Sequence, residues 1–582
     1  MRVQEEGQKA VRENLNTMAA ATRFSAVPVS LQCRGDRMKS ILFLLREAEG
    51  CFVSGKCGKD RNALRFFLIT TYNQLRNAGR FEPAREVPMP FALSKSRYCS
   101  AVQCPKMLWM KKYMPEQFDE SVMNDTVLET GNEVGDLAMG LFGKYVEVPF
   151  GDLSEMTRIT DRLIQENTPV ICEASFAFEG LFCSVDILKN LGEGKVELYE
   201  VKSSTGPHPI YEDDICYQVY VLKKLGFHVK KACLVYLDRG YERIGDLDIQ
   251  KLFAVQDYSR TVSKKLPEVE ARIAFLKQYM EQKEEPEQEL GEQCFSPYAC
   301  GFYHYCGRHL PVPNVFDLRR VQLRTRIKLY RQGSVSFEDL SRAEGVPEAA
   351  LMQVRHELED LPDHVEPENI RTFLEMIQYP LYFLDFETFQ PAVPVYDHTH
   401  PYDQIPFQYS LHYQKKKGGR LYHREFLAEP LGDPRRKLAE QLCQDIPEGA
   451  CVLAYNMAFE KTRIRELAAL YPDLSDHLLS IHANMKDLIV PFQKRWFYNR
   501  AMKGSHSIKY VLPALYPDDP QLDYQSLDGV HNGAEASFAF TKMQKMDPSE
   551  LSQYRQYLLK YCGLDTLAMV KVLEKLYEVC GA

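Results

Sequence analysis

Leu181 to Lys202 reads LFCSVDILKNLGEGKVELYEVK. Two apolar runs flank Asn190 to Lys195, a glycine-rich stretch with the composition of a hairpin turn. Side chains alternate between faces along a strand, so Glu200 and Lys202 share one face. Asp186 lies near the end of the expected partner strand. The pairing sets two carboxylates and an amine together on a rigid scaffold. Two carboxylates can hold a divalent metal beside a phosphodiester, and the lysine can orient water or meet developing charge. An E-x-K sequence alone is usually a surface ion pair. Asp186 on the preceding strand, and Gln218 on the helix expected over Ile215 to Leu225, set this one apart.

Outward from this hairpin, Val170 to Phe178 and Lys231 to Leu237 read as strands. Leu93 to Phe142 and Ile249 to Met280 read as helical. Residues 1–88 show no sustained period, and Pro83, Pro88 and Pro90 close them. They read as a poorly integrated leader that is not the native start, with Met89 as the alternative start. Residues 91–310 read as one domain, 311–375 as a charged helical connector, and 376–582 as a second domain. Within the connector, Gly333 to Glu344 suggests a small helical hairpin. The alternation of strands and helices after Tyr379 predicts a layered α/β fold.

A second acidic pair sits on an apolar strand, Tyr382-Phe383-Leu384-Asp385-Phe386-Glu387-Thr388. Asp385 and Glu387 share a face. A buried strand does not keep two acids without a partner, and a metal is the natural one. Downstream come Asn456 to Glu460, then Asp487, then His506-Ser507-Ile508-Lys509. Last come Tyr561 and Asp565, four residues apart on one helical face.

Cys294, Cys300 and Cys306 are spaced C-x5-C-x5-C, and Cys104 lies far upstream before Pro105 and Lys106. Such a set could bind zinc or an iron–sulfur cluster. The remaining cysteines, among them Cys172, Cys183, Cys233, Cys443 and Cys451, read as small buried hydrophobes.

The chain has 582 residues, 45% hydrophobic and 26% charged, with net charge −8. That excludes a bulk basic surface, so any basic groove must be local. Lys111-Lys112, Lys230-Lys231 and Lys415-Lys416-Lys417 read first as solvated runs. No run approaches the ~18 apolar residues of a membrane span, and the polar N-terminus is not a secretory signal. The expected location is the cytoplasm, with no membrane partner and with reduced thiols.

The arrangement of Asp186, Glu200, Lys202 and Gln218 resembles the RecB-like branch of the PD-(D/E)xK nucleases, a restriction-endonuclease-like α/β fold. The resemblance implies Asp186 and Glu200 as metal ligands, Lys202 and Gln218 as catalytic partners, and Glu173 as an auxiliary acid. It departs at Gly135, where a histidine ligand is usual after Gly131; Glu133 is the candidate stand-in. The cysteines resemble the iron–sulfur clamp of AddB-type helicase–nucleases and CRISPR adaptation nucleases. This implies a 4Fe–4S cluster on Cys104, Cys294, Cys300 and Cys306. The second set resembles the DEDD exonucleases of the RNase H-like fold. This implies Asp385, Glu387, Glu460 and Asp565 as metal ligands and Tyr561 as the water-positioning base. Glu460 stands where that family has aspartate. The order of motifs over residues 91–582 resembles a bacterial family joining both domains.

The expected function is a magnesium- or manganese-dependent nuclease with two centres. It would hydrolyse phosphodiester bonds of DNA or RNA exonucleolytically, in DNA repair or defence. The expected partner is nucleic acid, single-stranded DNA before RNA, with a helicase or a repair or defence protein beside it. The rival expectation is a nucleic-acid-binding or assembly protein with one or both centres inactive. A third is a zinc-bound scaffold.

Overall fold

A computed structural model describes residues 93–122 and 125–581. The expected leader over residues 1–88 lies outside the described residues. The chain is a mixed α/β protein with two large mixed sheets and many helices.

The first sheet has seven strands: β1 (Leu93–Ser94), β2 (Val146–Glu147), β3 (Val170–Phe178), β4 (Leu181–Asn190), β5 (Lys195–Lys202), β6 (His228–Leu237) and β7 (Phe253–Asp257). Their order is β2-β3-β4-β5-β6-β7, with β1 on β4. β4 and β5 pair antiparallel only from Ile187 opposite Tyr199 to Asn190 opposite Val196. Beyond Ile187 they part, and β1 pairs with Leu181 and Phe182 instead. Gly192 and Gly194 turn this hairpin at φ +80° and +70°, where a side chain is disfavoured. One face of the sheet is covered by the helices Pro209–Lys224 and Ser259–Tyr279, whose Ile215, Val219, Leu222 and Ile273 are buried with Val185 and Leu198.

Two stretches read as continuous helix are broken. Within residues 249–280, Phe253–Asp257 is an edge strand paired with β6. The run holds β-branched Val255 and lacks a helical apolar period, so sheet pairing prevails. Between Leu93 and Phe142, β1 is followed by helices over Lys95–Gln103, Pro105–Tyr113 and Asp125–Ala138 with 3-10 turns between. Pro105 and Pro115 each stand at the first position of a new helical segment, where the missing N–H does no harm.

The connector holds the helices Leu323–Arg331, Phe337–Leu340, Glu348–Glu359 and Pro367–Leu374, and the strand β8 (His364–Val365). The second sheet comprises β9 (Leu381–Phe389), β10 (Ile405–Gln414), β11 (Leu421–Leu427), β12 (Cys451–Ala454) and β13 (Met485–Asp487), in the order β11-β10-β9-β12-β13. β9 runs antiparallel to β10 and parallel to β12. β14 (Phe497–Tyr498) pairs with β8 and ties the connector to this half.

Alternation along β9 sorts its side chains. Tyr382, Leu384 and Phe386 pack with Leu438, Leu442, Ile464 and Leu467 of the helices Arg435–Asp445 and Ala458–Leu470. Leu381, Phe383 and Phe389 pack with Leu558, Ala568 and Val572 of the helix Pro548–Val579. Asp385 and Glu387 belong to this second alternation set, so their carboxylates face that helix. The helix has 32 residues, about 48 Å at 1.5 Å per residue.

Among the described residues no helix is long and apolar enough to cross a membrane.

Candidate metal centres

Asp186 and Glu200 stand where β4 and β5 part. With the ladder ended, the Val201 N–H donates to Asp186 Oδ2 at 2.6 Å. Glu200 is 1% exposed. It accepts from Lys202 Nζ at 2.6 Å, from Gln218 Nε2 at 2.6 Å, and from Lys95 Nζ at 2.9 and 3.0 Å. Lys202 Nζ and Gln218 Nε2 also reach Asp214, at 2.7 and 2.9 Å. The four residues expected from the sequence thus come together, joined by Lys95 and Asp214.

Asp214 precedes Gln218 by one helical turn, so its spacing could have identified it. Lys95 opens the helix Lys95–Gln103 directly after β1, and only the sheet order brings it to Glu200. Burial alone would raise Glu200, but Lys202 and Lys95 overcome it and hold the carboxyl well below its usual range. Burial and the charge of Glu200 push Asp186 up to about 7. Glu173 lies on β3 with φ +54°, and burial raises its carboxyl. Its charged neighbours include Lys95, Glu200 and Asp136. Burial raises the Glu133 carboxyl and Lys545 lowers it; Glu133 also acts on Tyr402, whose hydroxyl donates to the Ser203 carbonyl.

The second centre gathers four carboxylates. Asp385 is half-buried, whereas Glu387, Glu460 and Asp565 are 7%, 3% and 8% exposed. Burial, then the charges of Asp565, Glu387 and Glu460, raise Asp385 far above the carboxylate range. Burial and Asp565 do the same to Glu387. Glu460 is pushed up to about 8 by burial, with Asp487 adding to it. Its Oε2 is buried and has no hydrogen-bond partner. Asp565 rises by burial to about 6, restrained by the hydroxyl of Tyr524, which donates at 2.6 Å.

Arg463 acts on Glu460, and Glu387 and Asp565 feel the ammonium of Lys509. Its Nζ donates to Tyr561 Oη at 3.2 Å. Asp487 caps the turn after β12, accepting from the Asn456 and Met457 N–H groups at 2.9 and 3.2 Å. Cys562, between Tyr561 and Asp565, lies 3.7 Å from Asp385 Oδ2. Neither Cys562 nor Tyr524 was singled out from the sequence; each looks like an ordinary core residue there.

Two like charges 4 Å apart repel by about 4 kcal/mol at an effective dielectric near 20. Burial raises all four carboxyls, and mutual repulsion adds to it at Asp385 and Glu387, so keeping them ionised together is costly. Asp385, Glu387 and Cys562 offer ligand atoms within 4.8 Å of one another.

Cys104, Cys294, Cys300 and Cys306 line one small pocket with Met107, Met110 and Phe302. All are free thiols. Burial raises each of them, Cys300 to about 11, so they hold thiolates only against a cation. The thiols as placed do not form a trio within 4.8 Å; among the described residues that distinction belongs to Asp385, Glu387 and Cys562. Thiolates around one zinc stand about 3.8 Å apart for Zn–S bonds near 2.3 Å. Beside the cavity, buried Lys106 pairs with Glu285 at 2.6 Å.

A family model described as a domain of unknown function, DUF2779, matches residues 382–507. Its match holds Asp385, Glu387, Glu460 and Asp487, and stops before Lys509, Tyr561 and Asp565. The chain is 24% identical over 206 residues to uncharacterized protein MG366 of Mycoplasma genitalium, covering 33% of this chain and 31% of that protein. It is 26% identical over 207 residues to the homologue in Mycoplasma pneumoniae, with the same coverage. The chain thus spans about a third of the length of these curated relatives.

Proposed function

We propose that this protein is a divalent-metal-dependent nuclease with two centres: a RecB-like PD-(D/E)xK site in the first half and an RNase H-like DEDD site in the second. The observation that carries the reading is the convergence of Asp385, Glu387, Glu460 and Asp565 around Lys509 and Tyr561. Magnesium or manganese held there would supply Lewis acidity and lower the pKa of a bound water. Asp385, Glu387 and Asp565 would hold it, with Glu460 reaching in from its own helix. Tyr561 is kept protonated by burial and by the neighbouring acids. Its hydroxyl can therefore position a water, while Lys509 fixes its orientation and meets negative charge on the phosphate.

At the first centre Asp186 and Glu200 would ligate metal, Lys202 would stabilise developing charge, and Gln218 would fix Glu200. The four cysteines would hold a 4Fe–4S cluster in a structural role. It would join the helix that begins at Pro105 to the end of the first half, closing a loop of roughly two hundred residues. The substrate class is a single-stranded polynucleotide, in DNA repair or defence, with a helicase as a candidate partner.

A second reading, a first centre that binds without cutting, is favoured by one observation. Lys95 occupies Glu200 at 2.9 Å, on the carboxylate that would ligate the metal.

The test is a magnesium- or manganese-dependent assay on end-labelled single strands with anaerobically purified protein. Lys202→Ala and Asp385→Ala should each remove a separable activity. Equal activity in all forms, or none in any, would overturn the reading.

A further inference from the structure

We infer that Arg319 and Arg320 of the connector, backed by the buried Arg495 and by His506 of the second half, bind the phosphate backbone of a single strand on its way to the carboxylate centre. This rests on the nuclease reading and adds the route by which substrate arrives.

Among the described residues, Arg319, Arg320 and Arg495 have no carboxylate partner. Arg320 Nη1 lies 2.8 Å from His506 Nδ1 and 3.5 Å from the Gln493 carbonyl. Arg319 Nη2 donates to Tyr510 Oη at 3.2 Å. Arg495 is 7% exposed; its Nη2 donates to the Gly504 carbonyl at 2.8 Å, and its buried Nη1 has no partner. Arg500, by contrast, is held by Glu357 and Asp360. The nearby acid Asp317 is engaged in capping Asn314.

A guanidinium only donates, so His506 must accept through Nδ1 and stay neutral. Burial, then Arg320 and Arg495, push it down to about 4. Positive charge therefore accumulates here in a chain whose net charge is −8. Arg320, Arg495 and Lys503 have φ of +59°, +62° and +46°. Glycine would adopt those conformations at lower cost, yet each position carries a cation.

The patch adjoins the centre. His506 accepts from Tyr455 Oη through its carbonyl at 2.7 Å. Three residues later Lys509 reaches Tyr561, and three residues span about 10 Å at most. A phosphate on the patch and a scissile phosphate at the carboxylates are thus a few nucleotides apart. Tyr510, 5.5 Å from the Arg319 guanidinium, offers a ring on which a base can stack. Of the lysine runs visible in the sequence, Lys111 donates to Ser100, Lys231 pairs with Glu197 and Lys417 lies over Tyr577.

The test uses the full chain carrying Arg319→Glu with Arg320→Glu, and separately Arg319→Gln with Arg320→Gln. Anisotropy of a fluorescein-labelled oligothymidylate is followed against potassium chloride. In parallel, manganese-dependent turnover is followed on thymidine 5′-monophosphate p-nitrophenyl ester, which is too short to reach the patch. Expected for both pairs is an affinity loss of at least about tenfold, with a salt slope shallower by about 1.4 for two lost phosphate contacts. Ester turnover should be unchanged. Unaltered oligonucleotide affinity and slope would overturn the inference. So would competition by polyglutamate as effective as that by unlabelled oligonucleotide, which would make the patch a docking surface for an acidic protein. If wild-type protein turns over neither substrate but binds the strand through these arginines, the nuclease reading falls and the strand site stands.

Discussion

Tyr524 donates its hydroxyl proton to Oδ1 of Asp565 at 2.6 Å, across 41 residues of chain and with both side chains buried. The bond holds Asp565 below where burial alone would put it. A carboxylate oriented and acidified in this way is prepared to ligate a cation.

Replacing that support should therefore weaken metal binding without emptying the core. Tyr524→Phe is expected to lower manganese affinity by about 10- to 100-fold, the usual effect of losing a group that supports a ligand. Calorimetric titration of the full-length protein measures it. Unchanged affinity would show that the hydroxyl only fills space.

Repulsion among Asp385, Glu387, Glu460 and Asp565 should make the metal-free centre a source of instability. Asp385→Asn is expected to stabilise the metal-free protein by about 1 to 3 kcal/mol. It should also reduce the rise in Tm that manganese gives the wild type to what the first centre contributes. A destabilised variant would mean that the charges are already compensated.

The same carboxylates set a pH dependence. Glu460 is raised from 4.5 to about 8. A folded-state pKa above the unfolded one contributes stability at low pH that is lost as pH rises through the folded value. His412 acts oppositely. Burial lowers it from 6.5 to about 3, so its contribution is lost as pH falls from 6.5 to about 3. Above pH 6.5 the carboxylates act alone. Up to about pH 8 the metal-free protein should lose about 2 kcal/mol through Glu460. Denaturant melts with chelator, and then with manganese, should show the slope and its disappearance. A flat metal-free profile would refute the assignment.

Lys95 should oppose metal at the first centre. Lys95→Ala leaves Glu200 with Lys202 and Gln218 and makes the site more negative by one charge. Magnesium affinity there, measured in an Asp385→Asn background, should rise about tenfold or more. A fall would show instead that Lys95 holds the ligands in place.

The cysteine cavity gives a colour test. Anaerobically purified protein should absorb visible light, and Cys300→Ser should bleach it and lower Tm. The reason is that metal affinity is folding free energy where the ligands join distant segments. A colourless wild type with one zinc per chain would replace the cluster by a single ion.

How much of this was legible in sequence depended on how local the signal was. Glu200 and Lys202 could be paired because a strand alternates, and the glycine turn fixed which strand faces them. Tyr561 and Asp565 could be paired because one helical turn joins them. Lys95 could not be found, since its place depends on β1 taking up the edge of β4 where β5 departs. Nor could Tyr524, which reaches Asp565 from a three-residue turn over Tyr524–Ser526. Within residues 249–280, the strand Phe253–Asp257 lies between two helical segments and is too short to stand out, because its pairing with β6 is long-range.

The segment after β9 has a wider effect. Ala392 and Val393 are 3% and 8% exposed and sit in the apolar cluster of Val134, Cys233, Val235 and Phe253. Thr399 accepts from the Arg243 N–H at 3.0 Å, and Tyr402 donates to the Ser203 carbonyl at 2.5 Å. The half that carries Asp385 thus completes the hydrophobic interior of the half that carries Glu200. Severed at the connector, each piece would show water an apolar seam, so the two halves should unfold as one body.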